Sequence, residues 1–245
     1  MPHSKIHQAV ILAAGKGTRM AHLTESLPKP MLPVDGKPML EHVLDHLRAA
    51  GMDEALLVIG YRGELIREHF ADYPMRITYQ VQQEVNGTAR AALLAREFCG
   101  NDSFLLTFGD ILCSADDYHG LMDLLAPPVV GVLGVKYVAD PAAGAAVYEQ
   151  DNQVIRIIEK PAPGTSQTHW NSAGVYAFTP LLFDELERVP VSPRGEYELT
   201  SAIAQLIERG EILRKYAIRD DWMDVGRPED LERAADYVRR KSAMR

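Results

Sequence analysis

The sequence predicts an α/β fold with a mixed central sheet flanked by helices, and three observations carry that expectation. The first half alternates short apolar runs with segments of helical period. The second half strings short strand-like runs together before its helices. Apolar residues make up 47% of the 245 residues. Alternating strands and helices imply parallel strands joined by crossovers, with helices on both sides of the sheet. A chain of this length hides roughly 70% of the surface that its unfolded form exposes, enough for one large core. No tract rich in Pro, Gly or Ser separates two units. One domain over residues 1–245 is therefore expected, with halves at about 8–125 and 126–245.

Each element follows from its residues. Residues 9–14 form an apolar run ending at Gly15, the pattern of a strand buried on both faces. Residues 38–50 carry Leu40, Val43, Leu44 and Leu47 at helix spacing, with Gly51 as a stop. Residues 56–59 are the next strand, and a helix is expected around 64–70. Residues 77–81 are a third strand, 87–98 an Ala- and Leu-rich helix, and 103–108 a fourth strand. Further on, 129–138 has strand character. Residues 145–148 and 154–158 flank Asp151-Asn152 as a hairpin. Residues 162–168 are a loop and 174–178 a strand. Residues 181–186, 199–209 and 229–241 are helices, the last with Leu231, Ala234, Ala235 and Val238 on one docking face.

Charge and cysteine usage narrow the partners. The sum 26 − 34 gives a net charge of −8, which argues against a nucleic-acid surface. An anionic ligand must then be held by a local cluster of cations. Cys99 and Cys113 have no CxxC or metal-ligand spacing and suit a reducing cytoplasm. No apolar run approaches about 18 residues, so no membrane partner is expected. Residues 1–8 are polar and lack the core of a signal peptide.

Ligands of an open α/β sheet gather at the carboxyl ends of its strands. The first such segment is Leu12-Ala13-Ala14-Gly15-Lys16-Gly17-Thr18-Arg19. Its glycines permit a tight turn whose amides approach an anion closely, and Lys16 and Arg19 add positive charge. Met20 stands where a dinucleotide fingerprint needs a third glycine, and no GxxxxGK[ST] occurs. The second segment, Pro28-Lys29-Pro30-Met31-Leu32-Pro33, stiffens the chain around Lys29. The third, Phe108-Gly109-Asp110, ends a strand with a carboxylate suited to a hard cation such as Mg²⁺. Glu159-Lys160-Pro161 closes another strand, and Trp222-Met223-Asp224-Val225-Gly226 offers a second aspartate. Taken singly, each has a plainer reading: a tight turn, a surface loop, a solvated aspartate, a hairpin end or a helix-initiating turn. His42 and His46 sit four apart but opposite the apolar stripe, so a solvated helix face is expected there rather than zinc. Trp170 is as well explained by packing as by stacking on a ligand.

The joint order of these segments, with Gln82, Gly87, Thr88 and Ala89 between them, resembles the sugar-phosphate nucleotidylyltransferases, or NDP-sugar pyrophosphorylases. The match is to the glucose-1-phosphate thymidylyltransferase and N-acetylglucosamine-1-phosphate uridylyltransferase type, without a β-helix domain, and covers about residues 9–231. The resemblance implies a Rossmann-like nucleotidyltransferase fold with a nucleotide-binding first half and a sugar-binding second half. It implies nucleotide contacts at Leu12, Ala13, Ala14, Gly15, Lys16, Gly17, Thr18, Gln82, Gly87 and Thr88. It implies Arg19, Lys29 and Lys160 as the catalytic cations, and Mg²⁺ on Asp110 and Asp224. Sugar-phosphate contacts are implied at Gly109, Gly144, Glu159, Lys160, Ser172 and Glu198. Ser172 stands where the family often has asparagine, and Asn171 lies one residue earlier. Gln83, Val85 and Asn86 replace frequent Glu, Pro and Leu, and Ala143 stands where an aromatic residue is common.

The implied substrates are an NTP and a sugar 1-phosphate. A phosphate monoester has its second pKa near 6, so the attacking oxygen is already anionic at neutral pH. No general base is needed, in accord with the absence of a GxSxG elbow or a Cys/His pair. UTP or dTTP with a glucose-type 1-phosphate is the first expectation, and GTP with a mannose- or heptose-type 1-phosphate the alternative. A catalytically silent regulatory homologue would show damaged Arg, Lys or Asp positions. A nucleotide-sugar-dependent glycosyltransferase usually needs an Asp-x-Asp, and Asp110-Ile111-Leu112 lacks the second acid. Relatives that form dimers or tetramers make a homo-oligomer a further expectation.

Overall fold

A computed structural model describes residues 6–219 and 222–243. Most of the polar N-terminal segment read above therefore lies outside the described residues. Strand β1 (Gln8–Ala13) is buried along its whole length. Successive side chains of a strand point to opposite faces. Ala9 and Ile11 accordingly enter a core with Leu40, Leu44 and Tyr118, while Val10 and Leu12 enter a second core with Ala92, Phe104 and Phe183. A run apolar at every position is thus what a strand between two helical layers requires.

Two 3₁₀ turns, Thr18–Thr24 and Lys29–Met31, lead to a small hairpin of β2 (Pro33–Val34) and β3 (Lys37–Pro38). Helix α1 (Met39–Ala49), β4 (Glu54–Ile59), α2 (Gly63–His69) and β5 (Arg76–Val81) follow. Next come α3 (Thr88–Leu93), α4 (Arg96–Cys99) and β6 (Phe104–Phe108). The helix expected over 87–98 is thus two pieces. The amides of Leu94 and Ala95 bond three residues back, to Ala91 and Ala92, which tightens the turn and ends α3. After β7 (Ile111–Leu112) and α5 (Ala115–Leu124) come β8 (Val129–Tyr137), β9 (Ala145–Gln150), β10 (Gln153–Glu159) and β11 (Trp170–Phe178). The chain continues through α6 (Leu182–Arg188), α7 (Leu199–Glu208), β12 (Ile212–Ala217), β13 (Met223–Asp224) and α8 (Pro228–Ala243).

Nine strands form one sheet in the order β5-β4-β1-β6-β11-β8-β12-β10-β9. The first four are parallel, as the alternation in the first half requires. Strand β11 enters antiparallel between β6 and β8, so the sheet is mixed. β12, which no local pattern announced, lies parallel to β8. β9 pairs with both β10 and β11, so the far side of the sheet curls back on itself. The hairpin turn at Asp151-Asn152 has φ of 52° and 64°, the left-handed pair that suits Asp and Asn.

The histidine expectation is corrected. His42 is buried, with Nε2 2.8 Å from the Val34 carbonyl, and His46 meets Tyr237 of α8 edge-on at 6.5 Å between ring centroids. The β2–β3 hairpin and α8 cover the face of α1 that periodicity alone left to solvent. Trp170 is structural: Lys215 Nζ lies 4.2 Å from its ring centroid and Tyr137 packs edge-on against it.

Candidate active site

The loops after β1, β5 and β6 open at one end of the sheet, and two adjoining compartments of about 320 and 280 Å³ lie there. The first is lined by Leu12, Ala13, Ala14, Gly15, Gly17 and Thr18 of the glycine loop, by Lys29, Gln82 and Gly87, and by Gly109. Arg19, Thr88, Phe108, Asp110 and Glu196 line both compartments and mark where they meet. The second is lined by Gly144, Glu159, Lys160, Ser172, Glu198 and Asp224. Lys16 lines neither: its ammonium lies 5.4 Å from the Tyr61 ring centroid, on the outer side of the loop. Gly109, expected with the sugar phosphate, falls in the first compartment, packed near Ala13 and Pro30.

Local backbone explains the placement. Gly17 has φ of 69°, a left-handed turn that points the following residues into the cleft. Lys29 is buried within its proline-bracketed 3₁₀ turn, and its ammonium pairs with Asp110. Gln82 Nε2 donates to the Gly87 carbonyl at 3.1 Å and braces the loop after β5. Gly87, with φ of 129°, sits so close to Tyr197 that a Cβ there would fall 2.2 Å from the Tyr197 carbonyl oxygen. The Ala89 amide donates to that carbonyl at 2.9 Å, which stitches the loop of the first compartment to a loop of the second.

The two aspartates are brought together by a two-stranded ribbon. β13 pairs antiparallel with β7, opposing Asp224 to Ile111, and the Val225 amide donates to the Asp110 carbonyl at 3.0 Å. The Asp224 carboxyl is pushed up to about 6 by burial between the cleft walls and then by the charge of Asp110, against the pull of Lys29 and Arg19. Its side chain still meets cleft water, which screens part of this effect. A second acidic group surrounds Arg194, which contacts Glu159 and Glu198 at 3.3 Å and Glu196 at 3.1 Å. Burial and the charge of Glu198 raise the Glu159 carboxyl above its ordinary range. Burial pushes the Tyr176 hydroxyl up to about 12, and it shares a 2.7 Å hydrogen bond with Ser172 Oγ.

The donor set fits a magnesium ion. Both carboxylates line the second compartment, and burial with the charge of Asp110 raises the Asp224 carboxyl, the situation a divalent cation relieves. Among the described residues no group of three or more His, Cys, Asp and Glu side chains could hold a metal. Mg²⁺ bound by one or two carboxylates normally takes its remaining oxygens from water and substrate phosphates.

Several lining residues were not singled out as contacts from the sequence, among them Phe108, Asn171, Tyr176, Arg194 and Glu196. Phe108 closes a strand already marked by its Gly109-Asp110, which could have drawn attention to it. Arg194 and Glu196 sit in a polar loop and carry no local signal.

A sheet of this topology, with a glycine loop and paired carboxylates at its open end, suits an α/β protein that binds a nucleotide and a divalent cation. The chain belongs to the nucleotidyl transferase family, whose pattern it matches over residues 8–241. It is 36% identical over 231 residues to the bifunctional protein GlmU of Methanocaldococcus jannaschii, covering 94% of this chain and 54% of that protein. The chain thus spans about half the length of several of the curated relatives it matches. It is also 36% identical over 243 residues to the UTP–glucose-1-phosphate uridylyltransferase AglF of Haloferax volcanii, covering 97% and 98% of the two chains. The fold is shared with a UDP-glucose pyrophosphorylase solved with UDP-glucose, at a TM-score of 0.88, 20% identity and coverage of 96% and 99%.

Proposed function

We propose that this protein joins a sugar 1-phosphate to a nucleoside triphosphate, giving an NDP-sugar and pyrophosphate. The observation that carries the reading is the junction itself. Arg19, Thr88 and Asp110 belong to both compartments, so ligands filling the two would meet there. UTP with a glucose-type 1-phosphate is the favoured pair, supported by the full-length likeness to the uridylyltransferase AglF. Residues 8–125 supply nearly all of the nucleotide compartment, with Glu196 from the second half, and residues 126–245 most of the sugar compartment.

The glycine-loop amides cradle the triphosphate, and Lys29 and Arg19 offset its charge. Lys160 holds the phosphate of the incoming sugar. An oxygen of that phosphate attacks the α-phosphorus; the new P–O bond forms as the bond to the bridging β-oxygen breaks, and pyrophosphate leaves. No proton has to move, because the nucleophile is already ionised. The side chains' work is to hold two polyanions in line and to offset charge on the leaving group. Asp110 and Asp224 would hold Mg²⁺, which supplies charge neutralisation at the reacting phosphates when bound. With substrates of this kind, and with buried Cys99 and Cys113 free of disulfides, the cytoplasm is the proposed location. Among the described residues no helix is long and apolar enough to cross a membrane.

The test is a matrix of NTPs against sugar 1-phosphates with Mg²⁺, read as pyrophosphate release. Release should require both substrates. Lys29→Met should lower kcat by about 10²–10³, as removal of one charge-stabilising donor does. No release from any pair would overturn the reading.

A further inference from the structure

Lys160 follows β10 with φ of 41°, a left-handed backbone that strains a lysine. Among the described residues, the other non-glycine residues in this region are Asp35, Arg62, Asp151 and Asn152. They lie in hairpin turns or at the start of a helix, and none lines the cleft. Such strain persists only where the surroundings over-determine it. At Lys160 the surroundings are identifiable. Its own N–H donates to the Gly144 carbonyl at 2.7 Å. Gly144, with φ of −125°, has no need of glycine for its φ. It needs the space, because a Cβ there would fall 2.2 Å from Asn171 Oδ1.

Asn171 is itself fixed. Its Nδ2 donates to the Ser172 carbonyl at 2.8 Å, and turning the amide over would set two oxygens against each other. Oδ1 is shut off from solvent and has no N–H or O–H donor, so the amide is seated on Gly144 rather than on a hydrogen-bonding partner. Asn171 belongs to β11, which is paired on both sides within the sheet. All three residues line the second compartment. A chain of contacts therefore runs from the sheet, through Gly144, to the backbone of the lysine.

We propose that Asn171 is a positioning residue for Lys160, acting through Gly144 to fix where the ammonium stands. This rests on the reading that the second compartment takes a sugar 1-phosphate, whose phosphate needs a cation at a fixed place. It also gives Asn171, one place earlier than the family's usual asparagine, a supporting task rather than a contact with the sugar.

The experiment compares wild type, Asn171→Ala, Gly144→Ala and the double variant by two readouts. One is the pair of KM values in pyrophosphate release with UTP and glucose 1-phosphate. The other is hydrogen exchange at the Lys160 amide. Asn171→Ala should raise KM for glucose 1-phosphate about tenfold through misplacement of the cation, and leave KM for UTP within about twofold. The Lys160 amide should exchange about tenfold faster, while amides within β6 and β8 keep their rates. Gly144→Ala should act in the same direction and more strongly. Its effect should shrink in the Asn171→Ala background, where the added methyl has room. Unchanged exchange at Lys160 in Asn171→Ala, or strictly additive effects of the two substitutions, overturns the proposal. If wild type released no pyrophosphate with any sugar 1-phosphate, the functional reading would fall. Exchange at Lys160 would still decide the positioning role. Should Asn171→Ala not fold, Gly144→Ala gives the same readouts from the other side of the contact.

Discussion

Replacing Gly17 by alanine perturbs the glycine loop at two separable points. The first is the backbone, because alanine at φ of 69° costs about 1–2 kcal/mol relative to a right-handed conformation. The second is space. The new Cβ would lie 2.6 Å from Lys29 Cβ and 3.1 Å from its Cγ and Cδ. Carbon atoms pack best at about 3.5–4.0 Å, so the contact must open by about 1 Å. Cβ is anchored to the Lys29 backbone, which is buried and held between Pro28 and Pro30, so a side-chain rotation cannot absorb the movement. The ammonium that pairs with Asp110 moves with it. A misplacement of about 1 Å at reacting groups costs about 10² in rate. Gly36→Ala is the matched control, with φ of 84° and no atom within 4 Å of the added Cβ. Urea unfolding should show both variants losing about 1–2 kcal/mol, with any excess in Gly17→Ala measuring the clash. Pyrophosphate release should fall about 10²-fold in Gly17→Ala alone. A Gly17→Ala enzyme within threefold of wild type, or a Gly36→Ala enzyme equally slowed, would refute the reasoning.

Two further outcomes are expected. The Asp224 carboxyl titrates at about 6, above its unfolded value, so the ion-free protein is favoured by protonation there; that contribution is complete below about pH 4 and is lost as pH rises through about 6. Mg²⁺ needs the deprotonated form, so calorimetric affinity should fall about tenfold from pH 7 to pH 5, one proton being displaced; a flat profile would contradict the placement of the ion. Ser114 caps α5, its Oγ accepting from the Asp117 amide at 3.1 Å and donating to the Asp117 carboxylate at 2.8 Å. Ser114→Ala should cost about 1–2 kcal/mol and lower Tm by about 2–4 °C per kcal/mol, with KM values unmoved.

Much of this arrangement is legible in the residues because local chemistry dictates it. The run at 9–14 is apolar at every position, which only a strand covered on both faces explains, and the glycine loop follows directly. Asp110 is announced by the end of an apolar strand. What is not legible depends on partners far along the chain. β12 has half-buried positions and two cations, Arg214 and Lys215, and becomes a strand by pairing with β8 more than eighty residues earlier. His42 and His46 look solvated on a helical wheel because the wheel cannot show the hairpin and α8 that cover them. Arg194 is marked only by the three carboxylates it meets, and those are brought together by the fold.

The β7–β13 ribbon has a consequence for how the protein is completed. One aspartate is laid down before the midpoint of the chain and the other near its end, and a backbone bond from Val225 to Asp110 sets their spacing. A nascent chain lacking the ribbon's second strand could shape the glycine loop and most of the triphosphate cradle, yet would have only half an ion site. Magnesium affinity therefore reports whether the last segment has docked, and a lesion in α8, whose Asp230 accepts from the Gly226 amide two residues past Asp224, would register as a weakened response to the ion.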